Sequence, residues 1–133
     1  MKLHVSLIAT LSLVAASAGA ADLVVIANPA AATALTKDQV ADIFLGKSQA
    51  LAPVDQPESS PNYAEFYRKA TGRDIAQVKA TWARLVFSGK AQAPRQLPDS
   101  AAVKRAVAAD PKAVGYIEKS AVDSSVKVVL SLD

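Results

Sequence analysis

Between Asp55 and Asn62 the chain reads Asp-Gln-Pro-Glu-Ser-Ser-Pro-Asn, the densest run of chemically capable side chains it contains. Two carboxylates, Asp55 and Glu58, stand ahead of two hydroxyls, Ser59 and Ser60. Pro61 then fits the first position of a helix, where a missing N–H costs nothing. A serine in front of a helix can satisfy its orphan backbone N–H groups. The same N–H groups can instead hold a small anion, because they point outward at the positive end of the helix dipole. The segment is therefore expected to be an anion cradle or a capped helix start. A third chemistry, acid–base catalysis by Asp55 with Glu58, needs one carboxyl with a pKa raised by burial. A proline-rich polar loop is expected to leave both carboxylates in water, where they only solubilise a turn.

Other chemistries are closed by composition. The chain has 133 residues, no cysteine and one histidine, His4. No Cys/His zinc site and no Ser-His-Asp or Cys-His triad can be assembled, and no cofactor is expected. The first twenty residues carry Lys2 and His4, then an apolar run from Val5 to Ala16 and Ala18-Gly19-Ala20, the pattern of a secretory signal peptide cleaved after Ala20. The run is short for a membrane anchor. Residues 21–133 are then one exported domain, expected in the periplasm and held together by packing without disulfides. Without Lys2 its 14 basic and 12 acidic side chains leave a net charge of +2. The basic residues are scattered with no aromatic stripe beside them, which argues against nucleic acid.

The elements that must position the loop follow from periodicity. Asp22–Ala27 is a β-branched apolar run expected to be a strand buried on both faces. Thr36 and Gln39 fit a capping box for a helix carrying Val40, Ile43 and Phe44 on one face, closed by Gly46. Lys47 beyond it reads as an anion contact or, more simply, as a cation near a helix C-terminus. Ala50–Val54 is expected to be a short strand, kept to an edge or a strand end by Pro53. Tyr63, Phe66, Tyr67 and Ala70 mark a second helix ended by Gly72, and at that spacing the tyrosines read as core rather than ligand-stacking groups. Asp74 with Gln77 caps a third helix, whose stripe is Ile75, Val78, Trp82 and Leu85. Lys90–Pro98 reads as an extended loop, and Ser100 as the cap of a fourth helix stopped by Asp110-Pro111. Ala113–Ile117 is a strand in which Gly115 suggests close approach by a backbone or ligand. Ser125–Leu132 alternates, with Val126, Val128 and Leu130 on one face. The order β, α, short β, α, α, α, β, β predicts a single α/β domain with a small mixed sheet flanked by about four helices.

Leu35-Thr36, Val40 and Asp42-Ile43-Phe44-Leu45-Gly46-Lys47 resemble the "Leu-Thr … Ile-Phe-Leu-Gly-Lys" segment of the periplasmic phosphate-binding proteins of ABC transporters. Val107-Ala108-Ala109, Pro111 and Val114-Gly115-Tyr116-Ile117-Glu118 resemble their "Val-Ala … Pro-Gly-Ala-Ile-Gly-Tyr-Val-Glu" segment, and Trp82 with Phe87-Ser88-Gly89 is similar to small relatives. The resemblance implies one lobe, the second, of a type 2 periplasmic-binding-protein fold. It implies phosphate or another small oxyanion as ligand, with Ser59, Ser60, Asn62, Asp55 and Thr36 as the residues around it. A transporter permease or other envelope protein is the implied partner, and a second copy could complete the cleft as a homodimer. The loop departs from the family's Arg-x-Asp-Gly-Ser-Gly-Thr: only Ser59 matches a ligand position, Asp55 stands in the place of the arginine and Glu58 adds a second negative charge. On this basis Ser59→Ala is expected to weaken anion binding and Asp55→Arg to strengthen it. The alternative expectation is a lobe that has lost its ligand and acts as a periplasmic interaction domain.

Overall fold

A computed structural model describes residues 22–31 and 34–132. Residues 1–20, expected to be a signal peptide, lie outside the described residues. The elements are β1 (Leu23–Ala27), α1 (Lys37–Phe44), β2 (Ala52–Asp55), α2 (Pro61–Thr71), α3 (Ile75–Phe87), β3 (Arg95–Gln96), α4 (Ser100–Ala109), β4 (Ala113–Glu118), a 3-10 turn (Lys119–Ala121) and β5 (Lys127–Leu132). The five strands form one mixed sheet in the order β3-β2-β4-β1-β5. β1 runs antiparallel to both neighbours, β4 and β5, while β2 is parallel to β4 and β3.

Every residue of β1 is buried, as its unbroken apolar run predicts. Alternation splits that run between two cores. Leu23, Val25 and Ala27 join Val114 and Tyr116 under α1, α2 and α3. Val24 and Ile26 join Ala113, Ile117, Val103 and Val107 under α4. The sheet is thus a middle layer with three helices on one face and one on the other.

Helix starts follow local chemistry. Thr36 and Asp74 each close a complete capping box, with Gln39 and Gln77 as the reciprocal partners. Ser60 caps α2 with Pro61 in the first turn. The fourth cap differs from expectation: Asp99, not Ser100, accepts the Ala102 N–H and caps α4. Ser100 is then inside the helix, which frees its hydroxyl for Glu118.

Two strand expectations need correction. Lys90–Pro98 contains the two-residue β3, which pairs with Val54 and Asp55, so β2 is interior to the sheet. Pro53 is tolerated because pairing with β3 begins only at Val54, beyond the proline. In β5 the simple alternation fails. Its register against β1 shifts between Val25 and Ile26, which face Leu130 and Val128 and leave Val129 as the extra residue of a bulge. Val129 turns into the three-helix core while Val128 is exposed, and Val126 lies in the other core. The Val129 carbonyl accepts the Leu35 N–H, covering part of this sheet edge.

Gly115 is approached by a helix rather than by a ligand. A Cβ there would stand 2.6 Å from Val103 Cγ1 on α4 and 3.6 Å from the Val54 carbonyl oxygen. Val103 is buried and stiff at χ1, so relief requires α4 to lift. Gly115→Ala is expected to cost about 1–3 kcal/mol by overpacking, read as a lower urea midpoint. An unchanged midpoint would show that α4 can shift freely over the sheet.

Candidate functional site

The loop between β2 and α2 is closed over a buried carboxyl. Asp55 ends β2 and is only 3 % exposed, contrary to the expectation of a solvated turn residue. β2 carries it into the interior beside α2 and β4. Tyr116 on β4 donates its hydroxyl proton to Asp55 Oδ1. Tyr67 on α2 donates to Oδ2 at 2.5 Å. The Gln56 N–H adds a third donor, to Oδ1 at 3.0 Å. Burial pushes the Asp55 carboxyl above its ordinary value, and the Tyr116, Tyr67 and Gln56 hydrogen bonds oppose that rise in part.

Gln56, 1 % exposed, is the second buried polar side chain of the loop. Its amide nitrogen donates to the Tyr116 carbonyl at 2.9 Å and to Ser100 Oγ at 3.3 Å. Its amide oxygen accepts the Ser60 hydroxyl at 3.1 Å and the Asn62 amide at 3.3 Å. Asn62 also donates to Glu118 Oε1 at 2.7 Å, while Ser100 donates to Oε2. Burial pushes Glu118 up, but the bonds from Ser100 and Asn62 prevail and hold it below the ordinary carboxylate value.

The start of α2 has few donors to spare. Pro61 has no N–H. The Asn62 N–H goes to Ser60 Oγ and the Tyr63 N–H to the Ser60 carbonyl. Thr36, expected with this group, sits at the start of α1, its hydroxyl bound to the Gln39 N–H. Ser59 is exposed and Glu58 pairs with Lys79 across 3.3 Å on the surface. The structure therefore gathers Asp55, Ser60 and Asn62 into one hydrogen-bonded cluster and leaves Ser59 and Thr36 outside it.

Tyr67, Tyr116, Gln56, Ser100 and Glu118 complete the cluster, and none was a sequence candidate. Only Tyr67 carried a local signal, a polar tip on an otherwise apolar helix stripe. The two tyrosine rings are positioned by aromatic packing: Phe66 stacks on Tyr116 at 3.9 Å with planes 2° apart, and Phe44 meets Phe66 edge-on at 4.6 Å. Such pairs add about 0.5–1.5 kcal/mol beyond the area they bury.

All three tyrosines of the chain lie here. Burial first, and the charge of Asp55 second, push Tyr63 up to about 12 and hold Tyr67 and Tyr116 well above 10. The folded values exceed the unfolded one, so the stabilisation is complete below pH 10 and is lost as pH rises through the folded values. Phenolate absorbance is expected to stay flat through pH 10 and then to rise in one step together with loss of circular dichroism. A gradual rise near pH 10 with the fold intact would contradict the buried cluster.

The chain has the fold of a single lobe of a type 2 periplasmic-binding-protein-like structure, a five-stranded mixed sheet flanked by four helices, and in it the β2–α2 loop is closed by an internal polar cluster. Solved structures that the chain is similar to include phosphate transport receptors. An ABC-type phosphate transport receptor from Vibrio cholerae aligns over 82 % of this chain with a TM-score of 0.64 and 23 % identity. A phosphate ABC transporter substrate-binding protein from Clostridium perfringens, solved with bound phosphate, aligns over 82 % with a TM-score of 0.66 and 21 % identity. PstS from Borrelia burgdorferi aligns over 83 % with a TM-score of 0.62 and 14 % identity. The chain spans less than half of each of these structures, 46 %, 44 % and 47 % of their lengths. No protein-family model and no curated protein matches the sequence.

Proposed function

We propose that the protein is an exported, periplasmic lobe of the substrate-binding-protein type that acts by docking on an envelope partner, and that its β2–α2 loop does not capture phosphate. One observation carries this reading: the groups that would receive an oxyanion are already satisfied within the chain. Ser60 and Asn62 are tied to Gln56 and Glu118. The first N–H groups of α2 are taken by Ser60. The donors that converge in the loop converge on Asp55, which serves as a built-in anion. Glu58 and Glu118 nearby add negative charge that opposes a phosphate, while an exposed helix dipole offers only about 0.3–1 kcal/mol toward it. The same saturation argues against acid–base catalysis, because Asp55 already accepts three hydrogen bonds within the chain and is only 3 % exposed.

A second reading is favoured by exposed Ser59 and by the fold shared with a receptor that holds phosphate. In it, Ser59 and a second chain or copy complete an oxyanion cleft with a transporter permease as partner. Calorimetric titration with phosphate and sulfate separates the two. The docking reading expects no heat up to about 1 mM, the weak end of specific affinity. Binding tighter than that, reduced by Ser59→Ala, would establish the second reading instead.

A further inference from the structure

An open groove of about 780 Å³ lies away from the tyrosine cluster, between the turn after α1, the end of α3 and the segment leading into β3. Its wall is largely apolar, with Leu51, Pro53, Trp82 and Val86, and among the described residues its charged lining consists of Lys90 and Lys112. Neither lysine joins an ion pair among the described residues, and both are exposed. Val86 is 49 % exposed and the adjoining Phe87 is 95 % exposed, so two of the three large exposed hydrophobic side chains described stand at this one helix end. Val86 lines the groove, and adjoining exposed apolar side chains mark an interaction site better than scattered ones do. The third wall is the segment leading into β3. Ala91, Gln92 and Ala93 lie outside helix and strand, and among the described residues their N–H groups make no hydrogen bond within the protein. Such backbone can pair with an added extended segment.

We propose that this groove docks an extended segment of a partner protein that carries apolar side chains and at least one carboxylate. The apolar wall takes the side chains, the free backbone of Ala91–Ala93 offers main-chain pairing, and Lys90 and Lys112 select the negative charge. The two lysines, with no acid among the described lining residues, disfavour a basic segment by like-charge repulsion. The proposal rests on the docking reading above and names its surface.

The probes are three synthetic hexapeptides, alternating leucine–glutamate, leucine–lysine and serine–glutamate, titrated into isotope-labelled protein and followed by amide NMR shifts. The leucine–glutamate peptide is expected to move Gly46, Gln49, Val86 and Ala91–Ala93. The double variant Lys90→Glu/Lys112→Glu, at two exposed positions, is expected to weaken it roughly tenfold and to admit the leucine–lysine peptide in its place. Equal binding of all three peptides, shifts confined to another face, or no shifts at millimolar peptide would overturn the proposal. So would sedimentation showing a dimer that Phe87→Ser dissolves, since the occupant would then be a second copy. A silent groove together with absent phosphate heat removes this surface only. Phosphate heat sensitive to Ser59→Ala removes the docking reading whatever the groove does.

Discussion

Asp55→Ala is expected to lower the stability of the protein by about 2–4 kcal/mol, because it strips the acceptor from buried donors. The Tyr67 and Tyr116 hydroxyls and the Gln56 N–H converge on this one carboxyl. An unsatisfied buried donor costs about 1–3 kcal/mol, and the relief of desolvating a carboxylate offsets part of the total. Asp55→Asn keeps the volume and one acceptor oxygen, so a smaller loss of about 1–2 kcal/mol is expected. The pH dependence should change as well. Asp55 has a folded pKa above its unfolded value of 3.8, so the pH-dependent part of its contribution is complete below that value and is lost as pH rises through the folded pKa, while its role as acceptor remains. Asp55→Asn removes that decline. A cycle with Tyr67→Phe should be non-additive by about 1–2 kcal/mol, since the Tyr67 hydroxyl has nothing left to bind once Asp55 is gone. Additive losses in urea unfolding would mean the hydroxyl finds another partner. Asp55→Arg, expected from sequence to raise phosphate affinity, instead places a guanidinium at a site 3 % exposed between two tyrosines, and unfolding is the expected outcome.

Phe66→Ala is expected to cost about 3–5 kcal/mol, the range for truncating a fully buried aromatic. Phe66 is 0 % exposed and touches Phe44, Tyr67 and Tyr116 with its ring. Its loss opens a cavity and also removes the surface that fixes the Tyr116 ring. The hydroxyl that reaches Asp55 is then less well aimed, so the variant should also bring phenolate absorbance down toward pH 10. Phe66→Leu, which refills most of the space, should recover more than half of the stability and the alkaline profile with it. Trp82, the one tryptophan, reports both unfolding curves from the same core. A loss under about 1 kcal/mol would show that the cavity collapses and that the stack is not what positions Tyr116.

The elements whose causes are local could be read from the sequence. The capping boxes at Thr36 and Asp74 join residues three apart. The Ser60-Pro61 start, the apolar stripes of α1 to α3 and the doubly buried β1 are equally short-range. Ser100 was misassigned because Asp99 is an equally good cap one residue earlier, and only the helix geometry chooses between them. The alternation of β5 misled because the bulge at Val129 comes from pairing with β1, a partner about a hundred residues away in the chain.

The segment Asp55–Asn62 divides the same way. Its sequence determined that a polar, proline-stiffened loop ends in a serine-capped helix, since those propensities act within a few residues. It could not determine that Asp55 is buried, because the partners that make burial tolerable lie 12 and 61 positions along the chain. Gln56 likewise finds the acceptors of its amide nitrogen 44 and 60 positions away. A carboxyl flanked by glutamine and proline reads as solvated until the sheet brings Tyr116 beside it and α2 brings Tyr67. Whether a polar side chain faces water or closes a core is set by what lies opposite, and that was decided only by the tertiary structure.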